Sequence, residues 1–157
     1  FRSEEQAIRK YRGKDKQTGA WLEGGYMKHY TRTPCPINDK LAPEETKHLI
    51  IQSSFSDWNM PRELEAREVV AESVGQDTLR FDKNKKRVFE GDILTCGMMR
   101  GFGWAEFNAI VRYDSNWGMF VLYMPDIDDD QMLDCTEIFE VIGNYTDNPE
   151  LLPNYKG

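Results

Sequence analysis

The sequence has no apolar run of about 18 residues, so it offers no candidate for a membrane-crossing helix. Its first residues, FRSEEQ, lack the apolar core of a signal peptide and start on Phe rather than Met, as a tag remnant would. Cysteine is scarce: Cys35, Cys96 and Cys135 are odd in number, far apart, and none belongs to a CxxC pair. That excludes a disulfide framework or a zinc knuckle and leaves reduced thiols in a cytoplasm as the expectation. Histidine is scarcer still, with only His29 and His48, each isolated from paired carboxylate or Cys motifs. Basic residues are outnumbered, 20 Lys and Arg against 27 Asp and Glu, for a net charge of −7. An acidic surface disfavours non-specific binding to nucleic acid and to anionic membranes.

What is present is a globular composition. Hydrophobic residues make up 39% and aromatics 12% of the 157 residues. A chain near this length can bury about 68–70% of its unfolded surface, enough for a core without staples. One domain spanning 1–157 is the economical reading, with no internal repeat and no linker.

Short strands separated by turns dominate. Ile8 to Lys14 and Ala20 to His29 form a first hairpin around Asp15-Lys16-Gln17-Thr18-Gly19. Residues 31–45, with Pro34, Pro36 and Pro43, read as a loop. His48 to Ser53 is an isoleucine-rich buried strand. Pro61, preceded by Asn59, predicts a short helix before Arg67, and Val69-Val70 the start of a strand. Leu79 to Phe81 and Arg87 to Phe89 flank a second hairpin turn at 82–86. Ile93 to Cys96 is a strand. Ala105 to Tyr113 and Met119 to Met124 flank a third turn, 114–118. Residues 126–134 read as an acidic loop, Glu137 to Ile142 as the last strand, and Asn148-Pro149 as a helix start. The fold class is mainly β: short antiparallel strands with one or two short helices.

VGQDTLRFDKNKKRVFEGDIL (residues 74–94), VIGNYTDNPELL (Val141 to Leu152) and RGKDKQTGAWL (within Ile8 to Leu22) are three ordered blocks that together resemble the YopX family of phage and prophage proteins. The first is similar to that family's VGQ-(Y/F)-TG-L-x-D-KNGK-x-I-(Y/F)-EGDI. The second is similar to its closing VIGN-x-(Y/F)-ENPELL, and the third matches its opening hairpin. Residues 31–69 match little. Asp77-Thr78-Leu79 stands where Thr-Gly-Leu is usual, and Lys85-Lys86 displaces the glycine of the Asn-Gly turn. The resemblance implies phage or prophage origin, a bacterial cytoplasm, and an SH3-like small barrel in the C-terminal half. The division it implies is an N-terminal hairpin plus irregular insertion at 8–70 and a barrel-like part at 71–152. It carries no catalytic residues.

The motif residues Gly75, Glu90, Gly91, Asp92, Gly143, Asn144, Asn148 and Pro149 read as structural. Gly91 supplies a backbone conformation that a Cβ resists, and Asp92 can accept a backbone N–H in the turn. Arg80, Lys83, Lys85, Lys86 and Arg87, interleaved with Phe81 and Phe89, form a candidate nucleic-acid patch. The competing reading is a solvated hairpin tip.

Asp126, Asp128, Asp130, Asp134 and Glu137 fall at positions 1, 3, 5, 9 and 12 of an EF-hand-like loop. Gln131 stands where the sharp turn wants Gly, and the flanks read as strands rather than helices. A solvated acidic loop is the plainer reading. Gly101-Phe102-Gly103 lacks the Lys-Ser/Thr of a phosphate loop and reads as a flexible connection. Trp21, Trp58, Trp104 and Trp117 read as core or half-exposed sheet residues, unless they cluster on an open face.

The functional expectation is a non-enzymatic protein-interaction or self-assembling module, with homo-oligomer formation and no cofactor. The alternative is a nucleic-acid-binding accessory factor using the 80–87 hairpin.

Overall fold

The computed structural model describes residues 8–54, 58–60, 62–133 and 139–157. Two units emerge among the described residues, one within 10–75 and the other within 76–157 together with residues 8 and 9.

The first unit is an antiparallel sheet in the order β4-β3-β2-β1. Its strands are β1 (Tyr11–Lys14), β2 (Trp21–Tyr30), β3 (Thr46–Ser53) and β4 (Leu64–Glu68). The β1–β2 turn is built around Asp15. Its Oδ1 accepts the Gln17 N–H at 2.7 Å, and Gly19 takes φ +71° to close the loop. The Asp15 carboxylate is buried, and Arg67 of β4 donates to its Oδ2 through Nη2 at 2.7 Å and Nε at 3.0 Å. The Gln17 N–H and the Arg67 guanidinium together hold it below the usual carboxylate range, against the cost of burial.

β4 overturns the helix expected before Arg67. Leu64, Glu65, Ala66, Arg67 and Glu68 are good helix formers, yet each pairs with a β3 residue, from Ser53↔Leu64 to Leu49↔Glu68. An available sheet edge outweighs propensities of a few tenths of a kcal/mol per residue. Pro61 itself lies outside the described residues. The strand expected at Val69-Val70 also does not form. Val69 makes one isolated bridge to Asp15, and a 3-10 turn follows at Ala71–Ser73. Residues 31–45 form the loop read from the prolines. It is tied by Arg32, which pairs with both Asp39 and Glu45 at 2.5 Å and holds the Asp39 carboxyl down at about 2.

The second unit holds β5 (Gly75–Phe81), β6 (Arg87–Phe89), β7 (Asp92–Arg100), β8 (Gly103–Asp114), β9 (Met119–Met124), β10 (Asp129–Met132) and β11 (Phe139–Asn144). β5 and β6 pair as a hairpin, with an irregularity between Asp77 and Phe81. The other five form an antiparallel sheet in the order β10-β9-β8-β7-β11. This is the barrel-like C-terminal part expected from the sequence, though no β10–β11 ladder closes it among the described residues. Helical structure among those residues is limited to short 3-10 turns, including Pro43–Glu45 and Pro149–Leu151. No helix among them is long and apolar enough to cross a membrane.

Over Ile93–Cys96 and Ala109–Val111, β7 and β8 are buried on both faces, which explains the apolar runs there. Leu94, Cys96, Ala109 and Val111 face one core with Val88, Leu122, Met124, Leu133 and Phe139. Ile93 and Ile110, one residue out of phase, face a second core under Leu152, Leu151, Tyr145 and Tyr155. The C-terminal residues are thus a lid on the sheet, fastened where Asn108 Nδ2 donates to the Leu151 carbonyl at 3.2 Å. Cys96 is an inert core thiol, its pKa pushed up by burial. Cys35 is exposed, and Cys135 lies outside the described residues.

Candidate functional site

The motif residues meet at the entrance to β7. Gly91 has φ +84°, the left-handed region that glycine enters cheaply. Its N–H donates to the Val111 carbonyl at 2.8 Å, and its carbonyl accepts the Tyr145 N–H at 2.9 Å. Asp92 is buried and its Oδ2 accepts the Phe89 N–H at 2.8 Å. Glu90 donates its N–H to the Gln76 carbonyl at 2.9 Å, next to Gly75 at the start of β5.

At the other end of the chain, Gly143 lies at a shift in the β7–β11 register. A Cβ there would stand 2.7 Å from Asn148 Oδ1 and 3.0 Å from Leu151 Cδ1. Asn144 Oδ1 accepts the Asp147 N–H at 2.9 Å. Pro149 opens the 3-10 turn, but the Asn148 side chain does not cap it. It donates instead to Glu150 Oε1 at 3.3 Å. Apart from the Asn148–Glu150 pair, these contacts hold backbone.

Two of the five charges of the basic hairpin, Lys83 and Arg87, are neutralised by carboxylates around it. Arg87 pairs with the fully buried Asp77, and its guanidinium sits 5.2 Å from the Phe81 ring centre. Lys83 pairs with Glu140 of β11 at 2.5 Å, which lowers the Glu140 pKa and raises that of Lys83. Asp82 is buried at the turn, its Oδ1 accepting the N–H groups of Asn84 and Lys86 and its Oδ2 that of Val141. Lys85 and Lys86 remain at the tip. Arg80 lines a separate cleft of about 180 Å³ with Arg9, Thr78, Tyr113 and Phe120. The five charges therefore do not form one patch.

The acidic stretch is not a loop throughout. β10 takes Asp129–Met132 and pairs with β9, leaving a four-residue turn at 125–128. Strong pairing positions opposite Val121 to Met124 are what extend it. The carboxylates diverge: Asp126 accepts from Asn154 Nδ2 at 2.8 Å, Asp128 from the Tyr123 hydroxyl at 2.7 Å, and Asp130 from Arg112 Nη2 at 2.7 and 2.8 Å. Asp134 and Glu137 lie outside the described residues. Among the described residues no metal-ligand cluster forms.

The Gly101-Phe102-Gly103 stretch is where the sequence reading falls short. It is no flexible connection but a two-residue hairpin turn, with Arg100 paired to Gly103 and Gly101 at φ +59°. Among the described residues, the strands it joins outrun their neighbours. β11 covers β7 only over Asp92–Cys96, and β9 covers β8 only over Ile110–Asp114. From Gly97 to Glu106 the two strands pair only with each other among the described residues.

This arm carries exposed apolar side chains: Met99 at 68% exposure, Trp104 at 56%, and Phe102, fully exposed, at the turn. Trp104 lies across Gly97, where a Cβ would meet Cζ2 at 2.1 Å. Trp58 and Trp117 are also largely exposed rather than core residues, because they occupy turns. The signal for the arm was present in MMRGFGW, an apolar stretch with turn glycines, but its outreach depends on where β9 and β11 stop.

A mainly β chain in two antiparallel units, with an aromatic hairpin arm on one of them, is the class that these features define. Residues 10–153 match the YopX protein family, and the chain belongs to that family. It is similar in fold to a solved structure, protein EF1440 from Enterococcus faecalis. That chain is 22% identical, with a TM-score of 0.52 over 92% of this chain and 98% of the other. No curated protein matches the sequence.

Proposed function

We propose that the chain is a non-enzymatic self-associating module of a phage or prophage, working in the bacterial cytoplasm, and that the β7–β8 arm is its contact surface. The observation that carries this reading is the arm itself. Met99, Phe102 and Trp104 expose apolar surface on a two-stranded ribbon whose outer edges have no ladder partner among the described residues. Isolated two-stranded ribbons are marginal in water, and open edges with apolar side chains favour pairing with another chain. A second copy offers the same edge and the same apolar side chains, as a two-fold interface requires.

Light scattering after size-exclusion chromatography at micromolar concentration tests the reading. The expected mass exceeds the 18.3 kDa of one chain. Phe102→Ser with Trp104→Thr should return the protein to one chain per particle with its far-ultraviolet circular dichroism intact. A wild-type protein that stays monomeric at about 100 μM, well above the concentrations at which micromolar interfaces form, overturns it.

A further inference from the structure

The two outer edges of the arm are not equivalent. β9 meets β8 only from Ile110 onward, and its last residue, Met124, is followed by Pro125. Proline has no N–H to add to a ladder. The chain turns there, the Ile127 N–H donating to the Met124 carbonyl at 3.3 Å, and returns as β10 on the far side of β9. Among the described residues, the edge of β8 from Gly103 to Asn108 is therefore open, and a proline keeps it so. On β7 the ladder to β11 stops at Cys96, opposite Phe139, and the residues just before Phe139 lie outside the described ones. Of the two edges, β8 thus offers the one whose limit the chain itself explains.

Resting on the self-association reading above, we infer that two copies join by pairing this edge of β8 with itself, antiparallel, about a two-fold axis through Ala105. The register follows by exclusion. A two-fold axis perpendicular to an antiparallel pair runs between one residue and its own copy. Centred on Glu106, the pair would set like charges directly opposite, which is destabilising. Centred on Phe107, it would carry the partner's Gly103 to Val111, where β9 already holds the edge. Centred on Trp104, it would pair only Gly103 to Ala105 before the turn ends the strand. Ala105 remains, and it allows pairing from Gly103 to Phe107.

In that register Trp104 faces the partner's Glu106, and Gly103 faces the partner's Phe107. No atom lies within 4 Å of a Cβ built on Gly103, so the partner's Phe107 meets no side chain crowding it across the pair. Met99 and Trp104 are opposite each other in the β7–β8 ladder and share one face. The two-fold axis keeps their copies on that same face, so the apolar strips of the two arms run together. The product is a sheet in the order β7-β8-β8-β7. It exceeds the three strands that a hydrophobic face needs for stability in water, which a lone ribbon does not. Glu106 and its copy become diagonal neighbours, about 7–8 Å apart, the one repulsive contact of the pairing.

Disulfide trapping in a Cys35→Ser background provides the test, since Cys35 is exposed. The axis brings Ala105 within about 4.5–5.5 Å of its copy, inside disulfide reach. Ala105→Cys should cross-link most chains into dimers on mild oxidation. Met99→Cys stands across three strand spacings from its copy, about 14 Å, and should cross-link at least tenfold more slowly. Glu106→Gln should tighten the dimer at least twofold. Should Ala105→Cys fail to fold, hydrogen exchange on the unchanged chain decides: protection of residues 103–107 should rise with protein concentration, and by more than that of 97–100. A monomeric wild type overturns this inference together with the self-association reading. An oligomer that cross-links through Met99→Cys, fails to cross-link through a folded Ala105→Cys, or loosens on Glu106→Gln keeps that reading and overturns this one.

Discussion

Asp82 and Val141 stand 59 residues apart, and the carboxylate of one accepts the backbone N–H of the other at 3.1 Å. The same carboxylate holds the N–H groups of Asn84 and Lys86, and the Lys83 N–H donates to the Phe139 carbonyl at 3.1 Å. The β5–β6 turn is thereby clamped to β11. Asp82→Ala should cost about 3 kcal/mol, since it leaves buried amides without their charged acceptor. Burial opposes ionisation of Asp82, but the three backbone N–H groups outweigh it, and its pKa lies below the ordinary value. A carboxylate depressed by folding stabilises above its unfolded pKa, and that contribution is lost as pH falls through the folded value. Urea midpoints between pH 7 and pH 2 should therefore fall less steeply for Asp82→Asn than for wild type.

Left-handed backbone gives a prediction of opposite signs at two positions. No atom lies within 4 Å of a Cβ built on Gly91, so the cost of Gly91→Val is backbone strain and nothing else. It should exceed the ~1 kcal/mol of a typical substitution. Lys85 has φ +64° and is exposed, so it endures the strain that Gly91 avoids. Lys85→Gly should raise stability by about 0.5 kcal/mol, the relieved strain less the added chain entropy. Thermal melts of both variants check the pair, and an unchanged Gly91→Val melt would contradict the role given to that turn.

Arg87 and Asp77 should prove more important to stability than to binding. Asp77 is fully buried, so removing the guanidinium strands a charge in the core. Arg87→Ala should cost about 3–5 kcal/mol. Arg87→Met with Asp77→Leu should recover much of it, because apolar replacement of both partners avoids the stranded charge. Chemical denaturation of the single and double variants measures this.

Calcium should bind the 126–137 stretch weakly, with a Kd around the millimolar level of the loosest sites. Asp130 is engaged by Arg112, and β10 holds it away from Asp126 and Asp128. Isothermal titration decides. A micromolar constant lost on Asp128→Asn would show that the strand melts to form a cage.

Much of this architecture was written locally. Asp15 to Gly19, Asp82 to Lys86 and Asp114 to Gly118 are turns because their own residues accept nearby amides or tolerate positive φ, and alternation set the strands between them. Ile93 to Cys96 read as a strand from the sequence, and its burial on both faces emerged only with the two cores. The sequence alone thus determined the mainly β class, the hairpins and the family. Tertiary structure decided what no local pattern encodes. It drew Leu64–Glu68 from helix to strand by offering a paired edge, and made Asp129–Met132 a strand opposite β9. It cancelled Arg87 with Asp77 and Lys83 with Glu140 across gaps of 10 and 57 residues, and so dispersed a patch that looked continuous along the chain. It also left Met99, Phe102 and Trp104 in solvent beyond the described ladders of β9 and β11, because exposure depends on which strands reach a residue and not on the residue itself.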